Sequence, residues 1–179
     1  MSLMRYSEVI GLPVIITGGG EKVGVVEDIF FSPCSRRIKG FLLERSAHGI
    51  LKRAVMMRDV AGIGRDAVLI KSINSRMTVK KADDTGELEG RGEIKGLRIY
   101  SKDGEELGEV KDVLFDGETG LVEGVEVSDG LYQDIVQGRR ILPLLGKVEF
   151  SEENILVDRE AVEEMTKTGG GIKKKFLDE

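Results

Sequence analysis

The chain has 179 residues, is 40% hydrophobic and 33% charged, and carries a formal net charge of −5. This composition is typical of a globular protein of one or two domains. A single cysteine and a single histidine exclude an internal disulfide and a cysteine-based metal cluster, and remove most zinc and Ser-His-Asp chemistry. No apolar run approaches the roughly 18 residues of a membrane span and no signal-peptide pattern is present, so we expect a cytoplasmic protein.

The first distinctive stretch is "ITGGGEKVGVVED", which starts at Ile16. Three consecutive glycines suggest either a phosphate-binding loop or a turn. The residues that follow are β-branched or aromatic, which favours a strand over the helix that a phosphate loop requires. Neither a Lys-Ser/Thr pair nor a Gly-x-Gly-x-x-Gly pattern is present. We therefore predict a β-hairpin turn.

The chain contains one pattern twice. "GLPVIITGGGEKVGVVEDIFFSPCSRRIKGFLLE" from Gly11 matches "GLRIYSKDGEELGEVKDVLFDGETGLVEGVEVS" from Gly96. The glycine run of the first copy aligns Gly19 with Gly104, inside an ordinary Asp-Gly hairpin turn. What recurs is a turn that needs positive φ, and not a phosphate loop.

Each copy reads as a series of short strands separated by turns. Third strands are expected over 38–44 and 122–127. Further strands are expected over 54–57, 68–71, 141–145 and 155–157. Five or six short strands in roughly 75 residues favour a mainly β fold of two small closed barrels. A short helix is predicted from Asp158, which can cap it, with an apolar edge formed by Val162 and Met165.

The domain organisation follows from the repeat and the polar segments. We predict a first barrel over 4–79, a polar linker over 80–93, a second barrel over 94–167 and a flexible tail over 168–179.

At these residues the chain resembles the PRC-barrel family, named for a domain of the photosynthetic reaction-centre H subunit. The resemblance lies in "GEKVGVVEDIFF…IKGFLLE" and "GEELGEVKDVLF…GLVEGVEV", followed by "ILPLLGKVEF…ENILV". It implies a six-stranded barrel that acts as a noncatalytic interaction module, against reaction-centre proteins, against ribosomal protein, or in sporulation-associated proteins. The opening "YSEVIGLPV" is most similar to the last group. The first copy departs from the family by replacing the Asp/Glu-Thr-Gly turn with "SPCSRR".

Four side chains invite a chemical role. Asp28 and Asp112 recur at one place in a strand, where each is expected to accept main-chain hydrogen bonds at a bulge. A metal or acid-base role needs a partner carboxylate close to the aspartate. Glu27 is a candidate in the first copy, but Lys111 replaces it in the second copy, so a shared dicarboxylate site does not recur. His48 is interpreted as a loop histidine, and Cys34 as an incidental thiol that lacks a resolving cysteine.

Charge divides the two copies. Up to Thr85 the chain has 14 basic and 9 acidic residues, and the remainder has 13 and 23. Seven basic residues that are close in sequence form a tentative patch in the first copy: Arg36, Arg37, Lys39, Arg45, Lys52, Arg53 and Arg58. The patch centres on Arg36, Arg37 and Lys39. Such a patch is expected to bind RNA, anionic lipid or an acidic protein. The alternative is that these residues form only a solvated face. Aromatic residues, which single-stranded nucleic-acid platforms use, do not interleave with it.

The tail "GGGIKKKFLDE" is the second tentative partner-binding segment. It is either a frayed end or a short motif that docks its apolar residues into a partner groove while the lysines meet acidic groups. The residues concerned are Ile172, Lys173, Lys174, Lys175, Phe176 and Leu177.

Together these features predict a noncatalytic adaptor or scaffold, sporulation- or envelope-associated, without metal or cofactor. Its expected partner is an unidentified protein, with weak contact to anionic membrane or RNA as an alternative and no DNA. The expected location is cytoplasmic or peripheral to the inner membrane face. The rival function is an RNA- or ribosome-associated maturation factor that uses the basic first barrel. A ligand carrier has less support, because barrels of this size are filled by their own side chains.

Overall fold

The computed structural model describes residues 2–45, 47, 49–86, 93–128 and 140–167. The chain divides into two compact units. The first comprises Met1–Gly92 with Asp116–Leu121, and the second comprises Glu93–Phe115 with Val122–Glu179.

The first unit is built on a sheet in the order β6-β7-β2-β3-β4-β5-β8. Strands β2 and β7 are parallel, and the other neighbours are antiparallel. The elements are β1 (Leu3–Arg5), α1 (Tyr6–Val9), β2 (Pro13–Ile16), β3 (Lys22–Ser32), β4 (Arg37–Leu43), β5 (Arg53–Met56), β6 (Val60–Ile63), β7 (Val68–Ile70), β8 (Arg76–Thr78) and α2 (Val79–Asp84), with 3-10 turns at Met57–Asp59 and Ile73–Ser75.

The second unit repeats this topology in the order β12-β11-β10-β9-β14-β13, again with one parallel pair, β9 with β14. Its elements are β9 (Arg98–Ser101), β10 (Glu106–Asp116), β11 (Val122–Ser128), β12 (Arg140–Pro143), β13 (Glu149–Phe150), β14 (Asn154–Val157) and α3 (Arg159–Lys167). Six strands of one copy therefore match six of the other, which confirms the mainly β fold of two tandem barrels.

A long bent strand organises each unit. The first half of β3 pairs with β2 and the second half with β4, and the pairing register shifts at Val26/Asp28 and again at Phe30/Phe31. Phe30 and Phe31 are both buried although they are neighbours, because Phe30 packs in a cluster with Ala54, Met56 and Ala82. Strand β10 has the same two shifts.

The recurring glycines in β4 and β11 permit close approach of the next strand. A Cβ on Gly40 would lie 2.3 Å from the Val55 carbonyl oxygen, and one on Gly124 would lie 3.1 Å from the Leu142 carbonyl oxygen. The repeat of glycine at this place is thus a packing requirement.

Large apolar side chains fill both units. Those with less than 2% exposure are Phe31, Phe41, Ile38, Leu43, Met56, Ile70 and Val9 in the first unit, and Phe115, Ile99, Leu114, Leu142 and Ile155 in the second.

The predicted C-terminal helix is confirmed as α3, which packs on β12 and buries Ala161 and Met165. Val162, expected at the apolar edge, is half-buried. Asp158 stands at the expected capping position. Its carboxylate, however, accepts a hydrogen bond from Lys147 N–H at 2.7 Å and lies 2.5 Å from Lys102 Nζ.

One element was not expected. The polar segment predicted as a linker begins with helix α2, whose Ala82 is fully buried against Phe30, Ala54 and Met56. The first unit therefore has a helix on its β5 strand, as the second has α3 on β12.

The glycine run forms the predicted hairpin turn. Gly18 and Gly20 have φ angles of 88° and 73°, and Gly104 of the second copy has 88°. Gly19, which the alignment matched to Gly104, does not have positive φ, because the first turn holds one more residue than the second.

Candidate functional site

Asp28 and Asp112 occupy equivalent bulges in β3 and β10. Asp28 accepts the Ile29 N–H at 2.7 Å and the Tyr6 hydroxyl at 2.9 Å, and buried Asp112 accepts the Val113 N–H at 2.8 Å. This confirms that both carboxylates take main-chain hydrogen bonds at a bulge. The neighbouring Glu27 forms an ion pair with Lys52 at 2.7 Å.

Within the described ranges, no group of three or more His, Cys, Asp or Glu side chains is placed to hold a metal. Cys34 is an exposed free thiol in the β3–β4 turn. His48 and the tail residues Ile172, Lys173, Lys174, Lys175, Phe176 and Leu177 lie outside the described residues.

The β3–β4 turn carries the predicted basic residues. Arg36 is half-buried and has a φ of 51°, a left-handed conformation that favours glycine. Arg37 donates from Nη1 to the Thr119 carbonyl oxygen at 2.8 Å, within the first unit. Lys39 is exposed and is the unpaired extra residue of β4, because Phe30 pairs with Gly40 and Phe31 with Ile38.

A cleft of about 680 Å³ opens beside this turn. Three cations line it: Arg37 and Lys39 from β4, and Arg58 from the 3-10 turn after β5. Among the residues that the structure describes, none of those lining the cleft is Asp or Glu. The other residues that line it are Ser32, Cys34, Ile38, Met56, Met57, Gly86 and Thr119.

We name this cleft the basic cleft. Arg58 is exposed, and its Nε lies 3.8 Å from the Asp59 carboxylate, a distance at which an exposed pair interacts weakly. Met56 and Met57 place flexible, polarisable side chains between the cations. The arrangement suits a ligand with negative charges around a short apolar group.

The structure brings together two of the three predicted patch residues. Arg37 and Lys39 line the cleft, whereas Arg36 is not among the lining residues. Sequence reasoning placed Arg58 in a looser basic set but did not pair it with Lys39, and it missed Met56 and Met57. To find them, the register of β4 on β5 would have to be known, in which Gly40 lies opposite Met56. The sequence pattern does not give this register.

The second copy does not repeat the three cations. In the equivalent register, where Gly124 lies opposite Pro143, the positions of Arg37, Lys39 and Arg58 are held by Leu121, Glu123 and Leu145. The basic cleft is therefore a feature of the first copy and not of the shared fold.

None of the helices that the structure describes is both long and apolar enough to cross a membrane.

Comparison with known proteins agrees with the two-fold repeat. The PRC-barrel domain matches residues 1–77 and again 87–163. The chain is also similar to the Bacillus subtilis (strain 168) protein described as "Uncharacterized protein YrrD", with 28% identity over 144 residues that cover 78% of each chain. With two domain matches that together span most of its length, this chain belongs to the PRC-barrel family.

Proposed function

We propose that this chain is a noncatalytic adaptor whose first unit binds an acidic segment of a partner protein in the basic cleft. The observation that carries the proposal is the lining of the cleft. Arg37, Lys39 and Arg58 converge there, and no carboxylate of the described part of the chain lines it.

The chemistry of the lining defines the kind of segment. Arginine presents a planar fork that matches a carboxylate, and lysine presents a point charge. Met56 and Met57 accept aliphatic or aromatic side chains of varied shape. A segment with Asp or Glu on both sides of one apolar residue satisfies both features.

The difference between the two copies supports a binding role for the cleft. Topology, bulges and close-approach glycines recur in both units because the fold requires them. The cations do not recur, since Leu121, Glu123 and Leu145 replace them. The fold forms in the second copy without these cations, so the cations of the first copy are candidates for a functional role.

Acidic protein is favoured over RNA by the kinds of side chain that line the cleft. Within the described ranges, none of the lining residues is Phe, Tyr or Trp. Platforms for single-stranded nucleic acid combine cations with exposed aromatic rings. RNA binding by the first barrel remains the rival that the experiment separates.

The similarity of "YSEVIGLPV" to sporulation-associated family members supports a wider setting. We extend the proposal to a cytoplasmic adaptor in sporulation or at the cell envelope, with the tail as a second contact.

The test is a pull-down from native cell lysate, with and without nuclease. The full chain is compared with a variant that carries Lys39→Glu and Arg58→Glu. The matched control carries Lys22→Glu and Arg65→Glu, which reverses two exposed charges elsewhere in the first unit and changes net charge equally. We expect a nuclease-resistant partner that the cleft variant loses by about tenfold, equivalent to about 1.4 kcal/mol, and that the control retains.

Three outcomes separate the alternatives. Competition of the captured partner by a polyglutamate peptide supports an acidic segment. Capture that nuclease abolishes, with a steep dependence on salt, moves the function to RNA. Equal capture by the cleft and control variants refutes the role of the cleft. A chain ending at Lys167 then shows whether the tail carries the contact.

A further inference from the structure

The loop between β4 and β5, called here the β4–β5 tip, exposes two consecutive aliphatic side chains close to the start of β5. Ile50 is 90% exposed and Leu51 is 56% exposed. Single exposed apolar residues are common on protein surfaces. An adjacent pair at a hairpin tip, with one member almost fully in water, is a stronger indication of contact with another phase or molecule.

Cations flank this pair on both strands. Arg53 opens β5 and pairs in register with Leu43, and Arg45 lies two residues beyond Leu43 on the other side of the hairpin. Both arginines are exposed. Lys52 is also present, but its Nζ is paired with Glu27 at 2.7 Å. Two exposed guanidinium groups thus flank the apolar pair.

A third cation extends this charge toward β8. Arg76 lies close enough to Arg53 that burial, followed by the charge of Arg53, lowers the pKa of Arg76, whereas Glu21 raises it. The Arg76 Nη1 donates to the Val23 carbonyl oxygen at 2.9 Å, and its Nε is buried without a hydrogen-bond partner. Arg53 and Arg76 therefore lie near each other at the base of the hairpin.

The flanking charge favours an anionic lipid surface as the occupant. Ile50 and Leu51 lie outside regular strands, with Leu51 at a bend. A fluid headgroup and acyl boundary accommodates two adjacent apolar side chains without a groove of matching shape. Arginines beside an inserted apolar group meet the negative headgroups, each contributing to attraction.

We propose that the β4–β5 tip inserts Ile50 and Leu51 into the surface of an anionic lipid bilayer, with Arg45 and Arg53 contacting the headgroups. This inference is independent of the basic cleft, since none of its residues lines that cleft.

Co-sedimentation with lipid vesicles tests the inference. The full chain is incubated with phosphatidylcholine vesicles and with vesicles of phosphatidylcholine and phosphatidylglycerol in a 3:1 ratio. We expect binding to the anionic vesicles, weakened at 0.5 M salt because exposed charges are screened. Replacement of Ile50 and Leu51 by serine is expected to reduce partitioning at least tenfold.

The matched control replaces Leu69 and Ile73 by serine, since these are also large apolar side chains with 37% and 42% exposure, away from the tip. It should bind within about twofold of the unmodified chain. Thermal unfolding checks that both variants fold, and the high exposure of Ile50 favours retention of the fold. Absence of binding to the anionic vesicles, or equal binding by the tip variant and the unmodified chain, overturns the inference. The second result would assign vesicle binding to another part of the chain.

Discussion

Arg36 and Gly120 hold the same position in the hairpin turns of the two copies, with φ angles of 51° and 72°. Each lies at the same distance after the end of the long strand, Arg36 after Ser32 and Gly120 after Asp116. Glycine adopts this left-handed conformation without steric cost, whereas other residues pay about 1–2 kcal/mol for it. The first copy therefore carries strain at a turn that the second copy makes without it.

Replacement of Arg36 by glycine should relieve this strain. The gain is reduced by the extra backbone freedom of glycine in the unfolded chain, about 0.5–1 kcal/mol. We expect a net increase of about 0.5–1 kcal/mol in the free energy of unfolding of the first unit. Urea unfolding measures it. Arg36→Ala is the control, because alanine keeps the strained φ; an equal gain with alanine would mean that loss of the guanidinium, and not of strain, is responsible.

Gly40→Ala should destabilise the first unit. The added Cβ would lie 2.3 Å from the Val55 carbonyl oxygen and 3.0 Å from the Met56 Cα, and neither backbone atom can move without disturbing the β4–β5 pairing. Overpacking of this kind costs about 1–3 kcal/mol or more. Gly62→Ala is the matched control, since nothing lies within 4 Å of its Cβ position. Equal unfolding free energies for the two variants would contradict the packing argument.

The two bulge aspartates differ in burial, which sets their expected contributions. Asp112 is 5% exposed, so Asp112→Ala leaves the Val113 N–H without this acceptor in a buried site, at a cost of about 1–3 kcal/mol. Asp28 is exposed, and water replaces its carboxylate, so Asp28→Ala should cost less than about 1 kcal/mol. Chemical denaturation of both variants checks the order. Asp112→Asn keeps an acceptor and should recover much of the loss.

Much of the fold was predictable because its signals are local. The repeat is visible in aligned glycines and apolar residues, and the Asp-Gly turn containing Gly104 has one favoured structure. Helix α2 was missed because six mainly polar residues show no clear period, and Ala82 is its one fully buried side chain among those described, with Val79 packed beside it. A single buried alanine in a charged segment is not a signal that composition can reveal.

The candidate site was less predictable because it depends on pairing across strands. Lys39 reaches the cleft as the extra residue at a register shift, and Arg58 arrives from a turn that follows another strand. Alternation along one strand cannot place them together, since each bulge reverses the side that later residues face. The basic composition of the first copy was evident, but which cations converge was not.

Acid should weaken the turn that ends β10. Burial would raise the pKa of Asp116, but hydrogen bonds from the Thr119 hydroxyl and from main-chain N–H groups outweigh it, so the pKa lies below its ordinary value. A lowered carboxyl pKa stabilises the folded state above the unfolded value, roughly 3.9, and this stabilisation is lost as pH falls through the folded pKa. The stability difference between the unmodified chain and Asp116→Asn should be constant at neutral pH and shrink below about pH 4. Urea unfolding from pH 7 to pH 3 measures it, and parallel curves throughout would contradict the assignment.

Helix α2 provides a final test of where the first barrel ends. Ala82 is fully buried against Phe30, Ala54 and Met56, whereas its neighbour Lys81 is exposed. Ala82→Gln should therefore lower the free energy of unfolding by about 1–3 kcal/mol, since a larger polar side chain enters a packed apolar cluster. Lys81→Gln is the control, because it places glutamine at an exposed position of the same helix. Lysine and glutamine differ in helix propensity by only a few tenths of a kcal/mol, so this variant should change stability little. If the two variants unfold at the same denaturant concentration, the segment is a linker, as its composition suggested; if only the Ala82 variant is weakened, α2 is part of the barrel and the linker begins after Asp84.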